Sequence, residues 1–160
     1  MSNSGKSQSV LFVCLGNICR SPMAESVFRE LVRNEGLEES IEIESAGTAG
    51  YHIGEFPDYR CIQTLEKNGI DHYSKARRIS RDDFARFDLI LAMDHSNLLD
   101  IKSLKGSDQS DVKLFRDFDP SPGDKVVPDP YYGDISDFDH VYELVLRTSG
   151  ALLSHLKGEQ

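Results

Sequence analysis

A run of β-branched and aromatic residues, Ser9–Cys14 (SVLFVC), breaks off into a short loop, Leu15–Arg20, and then into a helical pattern. A strand apolar at nearly every position is buried on both faces, as in parallel sheets covered by helices on either side. Beyond the loop, Met23/Ala24, Val27/Phe28 and Leu31/Val32 recur every four residues and leave one apolar stripe. Ser21 before Pro22 reads as an N-cap and first-turn pair, and Gly36 as the stop. Strand, loop and helix in this order open a parallel βαβ unit.

The alternation continues along the chain. Ile41–Ala46 reads as a second strand, Gly47–Phe56 as a glycine-rich loop, and Pro57–Asn68 as a helix ended by Gly69. Ser80–Arg86 reads as a short helix, and Asp88–Met93 (DLILAM) as a continuous apolar strand followed by a helix over His95–Lys102. Val112–Phe115 is a fourth strand. Asp117–Gly133 holds four of the six prolines and reads as ordered loop. The last helix is Asp137–Lys157, with Phe138, Val141, Val145, Thr148 and Leu152 on one face. The expected fold class is α/β: a single-domain open parallel sheet of about four strands, helices on both faces, and an anion-binding loop directly after the first strand. Residues 1–8 are small and polar, and a flexible N-terminus is expected there.

Composition narrows the function classes. The chain has 160 residues, a one-domain length. Its net charge of −9 argues against a nucleic-acid partner, which needs a basic surface. Three cysteines, Cys14, Cys19 and Cys61, are too few and too odd for a disulfide framework and fit a reducing compartment. The longest apolar run, Val10–Leu15, is far short of the ~18 residues of a membrane span. The expectation is a cytoplasmic protein with no membrane partner. No His/Asp cluster has metal-ligand spacing, so neither a metal nor another cofactor is expected.

The chemistry concentrates in Cys14-Leu15-Gly16-Asn17-Ile18-Cys19-Arg20-Ser21. Successive backbone N–H groups in a tight curl form an anion nest, and the following helix adds its dipole. Gly16 and Asn17 tolerate the left-handed backbone that a curl requires. A cysteine at such a point is expected to ionise below its free value of ~8.5, since the thiolate is an anion too. Arg20 adds a planar fork for two oxygens of a phosphoryl group. Cys-x5-Arg alone is a weak pattern; between an apolar strand and an amphipathic helix it is far more specific. Cys61, mid-helix among apolar residues, reads as structural burial.

Val13–Glu25, VCLGNICRSPMAE, closely resembles the signature of the low-molecular-weight protein tyrosine phosphatases. Asp129-Pro130-Tyr131-Tyr132-Gly133 resembles that family's acid loop. Ser45-Ala46-Gly47-Thr48, Lys75-Ala76-Arg77, Phe87–Asp94 and Ser136-Asp137-Phe138 also look like family segments, so the likeness runs from about Val10 to Leu156. It implies a phosphatase domain over residues 9–158 that acts on tyrosine-phosphorylated proteins or peptides, with inorganic phosphate as a competing ligand. By the same resemblance, Cys14 is the nucleophile that forms a phosphocysteine and Arg20 is the phosphate clamp. The N–H groups of Leu15, Gly16, Asn17, Ile18, Cys19 and Arg20 line the phosphate cage. Ser21 is the hydroxyl that stabilises the thiolate, and Asn17 braces the loop with Ser45 as a partner. Asp129 is the general acid.

A phenol leaving group of pKa ~10 calls for a proton donor. Asp117, Asp119, Asp124 and Asp134 lie near Asp129, and composition does not choose among them; the flanking Pro and Tyr pair does so through the resemblance. To donate at neutral pH, such an aspartate has to be raised above ~3.9 by burial or by the substrate dianion. Tyr131 and Tyr132 are expected to wall a slot for a flat ring, and the resemblance implies Tyr51 in the opposite wall, although single tyrosines are ordinarily amphipathic packing. Cys19 is open between packing and capture of an oxidised Cys14. Lys75, Arg77, Arg78 and Arg81 read chiefly as a solvated basic face. The sequence departs from the family at Ser74, where some members carry a His that supports the loop asparagine; His72 lies two residues upstream. Two alternatives stand beside this reading. A thiol-dependent arsenate reductase needs further redox cysteines, and none follows Cys61. A non-catalytic phosphate-binding module needs neither Cys14 nor Asp129.

Overall fold

Alternate residues of the first strand feed two separate cores. In the computed structural model, which describes residues 6–121 and 123–159, β1 spans Gln8–Cys14. Val10, Phe12 and Cys14 belong to one apolar cluster, while Leu11 and Val13 belong to the other. β2 (Ile41–Gly47), β3 (Leu89–Ala92) and β4 (Asp111–Leu114) complete a parallel sheet in the order β2-β1-β3-β4. On the Phe12 side lie α1 (Arg20–Asn34), α2 (Tyr59–Lys67) and α5 (Ile135–Leu156). α3 (Arg81–Arg86) and α4 (His95–Lys102) cover the Leu11 side through Phe84 and Ile101. This is the expected four-stranded parallel α/β architecture.

Packing explains the order of the elements. Phe12 meets Phe28 of α1 and Phe115 edge-on, with centroids 5.7 and 5.2 Å away. Burying a Phe of this kind is worth about 1.5–3 kcal/mol. All five residues expected on the inner face of α5, from Phe138 to Leu152, are buried. From β1 the chain moves one way to β2 and the other way to β3. That reversal opens a crevice at the carboxyl ends of β1 and β3, where ligands of open α/β sheets sit.

Several boundaries differ from the sequence expectation. α1 starts at Arg20, so Ser21 is not its N-cap and Pro22 stands third rather than first. The Ser21 hydroxyl is instead turned back toward Cys14 and Asn17. α2 starts at Tyr59, because Asp58 accepts from Arg60 N at 2.9 Å and caps it. α5 starts at Ile135, two residues early: Asp134 accepts from Ser136 N, and Asp137 accepts from Asp134 N. β4 ends at Leu114, since Phe115 turns into a 3₁₀ turn and drops into the core. Of the segment expected to be flexible, residues 1–5 lie outside the described residues. Ser7 N and Gln8 N both donate to Ser40 O, and Gln8 already belongs to β1.

Candidate active site

Cys14 is the last residue of β1, so its side chain stands at the carboxyl edge of the sheet, buried on the Phe12 side. The next residues curl around it. Asn17 N points at Cys14 Sγ at 3.3 Å, and Ser21 Oγ lies 3.0 Å from the same sulfur. The curl needs one left-handed residue, and Asn17 supplies it with φ of 57°, alone among the described non-glycine residues. Gly16, expected to share that role, has no positive φ. Its small size serves another purpose, since a Cβ there would come within 3.1 Å of the His52 ring.

Beneath the curl lies a braced polar network. Asn17 Oδ1 accepts from Arg77 N at 2.9 Å, so its Nδ2 donates, to Ser21 Oγ at 2.8 Å and Ser45 Oγ at 3.0 Å. Ser45 Oγ in turn donates to Glu25 Oε1 at 2.5 Å. Glu25, nearly wholly buried, also accepts from Ser74 and from Arg29. Gly47, at the end of β2, allows the close approach of strand and loop: a Cβ would stand 2.7 Å from Leu15 O and 3.2 Å from Asn17 N.

Arg20 begins α1 and turns its guanidinium toward the carboxyl end of β3. Its Nη1 donates to Asp94 Oδ2 at 2.7 Å and Val127 O at 3.1 Å; its Nη2 is 3.6 Å from Asp129 Oδ2. Burial works against its charge, but Cys14, Asp94 and Asp129 outweigh that and hold its pKa above the ordinary guanidinium value. Asp129 is 42% exposed and accepts from Tyr131 N at 3.1 Å. Cys14, Leu15, Gly16, Ile18, Cys19, Arg20, Asp129 and three tyrosines share one cleft of about 220 Å³. Burial first, then the Asp58 charge, pushes the Cys19 thiol well above the ordinary thiol range. Burial does the same to Cys61, whose sulfur donates to Cys19 O at 3.5 Å. All three cysteines are free thiols.

The family model for "Low molecular weight phosphotyrosine protein phosphatase" matches residues 9–160. The chain belongs to the low molecular weight phosphotyrosine protein phosphatase family. A family enzyme from Pongo abelii is 46% identical over 149 residues, covering 91% of this chain and 94% of its own. One from Schizosaccharomyces pombe is 50% identical over 141 residues, covering 86% and 89%. The crystal structure of a protein tyrosine phosphatase from Entamoeba histolytica, with Hepes in its active site, superposes with a TM-score of 0.89 at 35% identity over 95% of this chain and 98% of that one.

For this phosphatase chain, the residues singled out from sequence fall into two shells. Cys14, Leu15, Gly16, Ile18, Cys19, Arg20, Tyr51, Asp129, Tyr131 and Tyr132 line the cleft. Asn17, Ser21 and Ser45 lie buried behind it. The tyrosines differ among themselves: Tyr131 is 39% exposed, Tyr51 73% and Tyr132 93%. Tyr131 and Tyr132 meet edge-to-face at 4.9 Å. Sequence reasoning missed Asp94 as a partner of Arg20 and named it only as the end of the family-like segment Phe87–Asp94; in the structure it also caps α4 by accepting from Asn97 N at 2.8 Å. It also missed His52, hidden in a glycine-rich loop, which lines the cleft with Nδ1 tied to Glu55 at 3.0 Å. The support expected of a His at position 74 comes by a different route: Ser74 bonds Glu25, and Glu25 bonds Ser45. His72 instead bonds Glu30 at 3.0 Å. Among the described residues, no group of three or more His, Cys, Asp or Glu could hold a metal ion, and no helix is long and apolar enough to cross a membrane.

Proposed function

We propose that this enzyme hydrolyses phosphotyrosine in proteins or peptides, and small aryl phosphates, through a phosphocysteine at Cys14 with Asp129 as general acid. The observation that carries the reading is the convergence of Cys14, Arg20 and Asp129 on one cleft whose rim holds three tyrosines. The phosphoryl group sits on the N–H groups of Leu15 to Arg20, with two of its oxygens against the Arg20 guanidinium. The Cys14 thiolate attacks phosphorus in line, the S–P bond forms, and the P–O bond to the phenol breaks as Asp129 delivers a proton to that oxygen. A water then attacks phosphorus, the Asp129 carboxylate takes its proton, and the S–P bond breaks to return the thiolate with inorganic phosphate.

Ser21 assists both steps. Its Oγ accepts from Asn17 and lies 3.0 Å from Cys14 Sγ, closer than the 3.4 Å to Ala46 O, so its proton is within reach of a thiolate at Cys14. An oriented hydroxyl stabilises the departing thiolate of the second step more than the S–P bonded state. Tyr51, Tyr131 and Tyr132 would flank the substrate ring. The test is turnover of phosphotyrosine and p-nitrophenyl phosphate, with rapid acid quench to trap a phosphorylated chain. A phosphate label on Cys14, absent in Cys14→Ser, is expected. A label elsewhere, or none during turnover, refutes the covalent route.

The three free thiols suit a reducing compartment, and we infer a cytoplasmic enzyme. Peroxide would convert Cys14 to a sulfenic acid, which the Cys19 thiol captures as a disulfide with release of water. Dithiothreitol should then restore the wild type more fully than Cys19→Ser; equal recovery would remove Cys19 from this role.

A further inference from the structure

Asp129 stands immediately before a turn that contributes nothing to the sheet, yet its carboxylate has to meet the leaving oxygen within hydrogen-bond reach. The turn is Pro130–Gly133, closed by Gly133 N donating to Pro130 O at 2.9 Å. Two of its carbonyls are held from outside by a single side chain. Arg60 Nη2 donates to Tyr131 O at 2.9 Å, and Arg60 Nη1 donates to Gly133 O at 2.8 Å. The other edge of the same guanidinium grips Asp58, with Nε on Oδ1 at 3.0 Å and Nη2 on Oδ2 at 2.9 Å. Asp58 is itself joined to the loop around Cys14, because its N–H donates to Ile18 O at 2.8 Å. The flat of the guanidinium lies 4.6 Å over the Phe138 ring, which fixes its tilt against the start of α5.

One rigid planar group therefore spans the gap between the phosphate-holding loop and the turn that follows the acid. Its fork fixes both distance and angle, which a flexible ammonium does not. Arg60 is not among the residues that line the cleft. Placement matters in proportion, since a displacement of about 1 Å costs on the order of 10²-fold in rate. Resting on the reading of Asp129 as general acid, we propose that Arg60 is a positioning residue that docks the Asp129 turn onto the Cys14 loop and so sets the reach of the acid.

The experiment compares Arg60→Gln and Arg60→Lys with Asp129→Ala and with the double variant Arg60→Gln/Asp129→Ala. Each is assayed on aryl phosphates of graded leaving-group basicity, with inorganic phosphate as competitive inhibitor and thermal melts alongside. Arg60→Gln should lower kcat on phenyl phosphate by about 10–100-fold and far less on dinitrophenyl phosphate, whose phenolate leaves unaided. Inhibition by phosphate should be unchanged, because the cage is intact. Arg60→Lys should fall between Arg60→Gln and the wild type. The double variant should be no slower than Asp129→Ala alone. An equal loss on every leaving group, a full multiplicative loss in the double variant, or no loss in either single variant overturns the inference; so does failure of both to fold, which would make Arg60 a stability residue. If Asp129→Ala itself slows all leaving groups alike, the acid assignment fails. If it discriminates while the Arg60 variants do not, only the positioning role fails.

Discussion

Two arginine–aspartate clusters are built on the segments that leave β3 and β4, and they are finished to different degrees. Asp119 has no exposed side-chain surface and is saturated: Arg116 Nε, Arg147 Nε and Nη2, and Ser121 N all donate to it at 2.9 Å. In the other cluster, Arg20 is tied on one nitrogen to Asp94 at 2.7 Å, but its second nitrogen meets Asp129 only at 3.6 Å, and Asp129 is 42% exposed. A complete network holds a chain in place; an incomplete one keeps hydrogen-bonding capacity for something that arrives. The contrast fits Asp119 to stability and supports the ligand chemistry proposed for the Arg20–Asp129 pair, and each reading can be broken by experiment.

The largest effect is expected at the centre of the unfinished cluster. Cys14→Ser should reduce turnover to background, a loss of roughly 10⁴-fold or more, as for removal of a covalent nucleophile. Binding of inorganic phosphate, read by calorimetry, should persist because the backbone cage and Arg20 are unaltered. A variant that loses phosphate binding along with turnover would mean that the sulfur holds the loop in shape.

Next in size is Asp129→Asn, expected to slow phenyl phosphate by about 10²–10⁴-fold. Its melting temperature should hold or rise, since a half-exposed carboxylate at 3.6 Å adds little to stability. A melt depressed as far as that of an Asp119 variant would erase the distinction between the clusters.

These two residues also mark what was legible in the sequence. Cys14 to Arg20 lie within one strand–loop–helix junction, so local pattern alone exposes them. Asp129 arrives from 115 residues further on, and only its Pro-Tyr-Tyr-Gly setting singled it out from four neighbouring aspartates. Asp94 was hidden because helix capping fully accounts for an Asp at that position; its second task, on Arg20, depends on β3 lying beside β1. Ser21 misled for a related reason. A serine before proline satisfies the capping rule, but the sulfur and the Asn17 amide claim its hydroxyl. Strand content and helix faces came through well, because burial on both faces of β1 and β3 writes itself into unbroken apolar runs. Helix starts came through less well where two acids share a cap, as Asp134 and Asp137 do in a reciprocal capping box.

The finished cluster should respond in stability. Asp119→Asn leaves the buried Arg116 without its carboxylate and should cost about 3–5 kcal/mol in urea unfolding. At temperatures where the variant is folded, kcat on aryl phosphates should stay near wild type. Acid gives the same test without a mutation. The Arg147 hydrogen bonds, joined by Ser121 N and Arg116, hold the Asp119 carboxyl well below the usual carboxylate range. A depressed pKa adds stability that is full above the unfolded value of ~3.9 and fades as pH falls below it toward the folded value. Wild type should therefore lose stability more steeply than Asp119→Asn below about pH 4. Parallel acid profiles would show that Asp119 is not the linked group.

The smallest effect tests how far the unfinished cluster relies on what lies behind it. Ser74 donates to Glu25 Oε2 at 2.8 Å, but Arg29 holds the same oxygen at 2.9 Å and Ser45 holds the other at 2.5 Å. Ser74 is exposed, so water replaces its hydroxyl in Ser74→Ala, and the cost should be no more than about 1 kcal/mol. Ser45 is different. It is the link between Asn17 and Glu25, and Ser45→Ala strands a buried carboxylate oxygen, at about 1–3 kcal/mol. The loss should also reach the chemistry, since Asn17 then keeps only Ser21 as a side-chain partner and the left-handed turn around Cys14 loosens. Ser45→Ala should therefore lower kcat clearly and Ser74→Ala only slightly, with both melts recorded. Equal losses of kcat would mean that position 74 supports the loop directly and that Glu25 is not the relay.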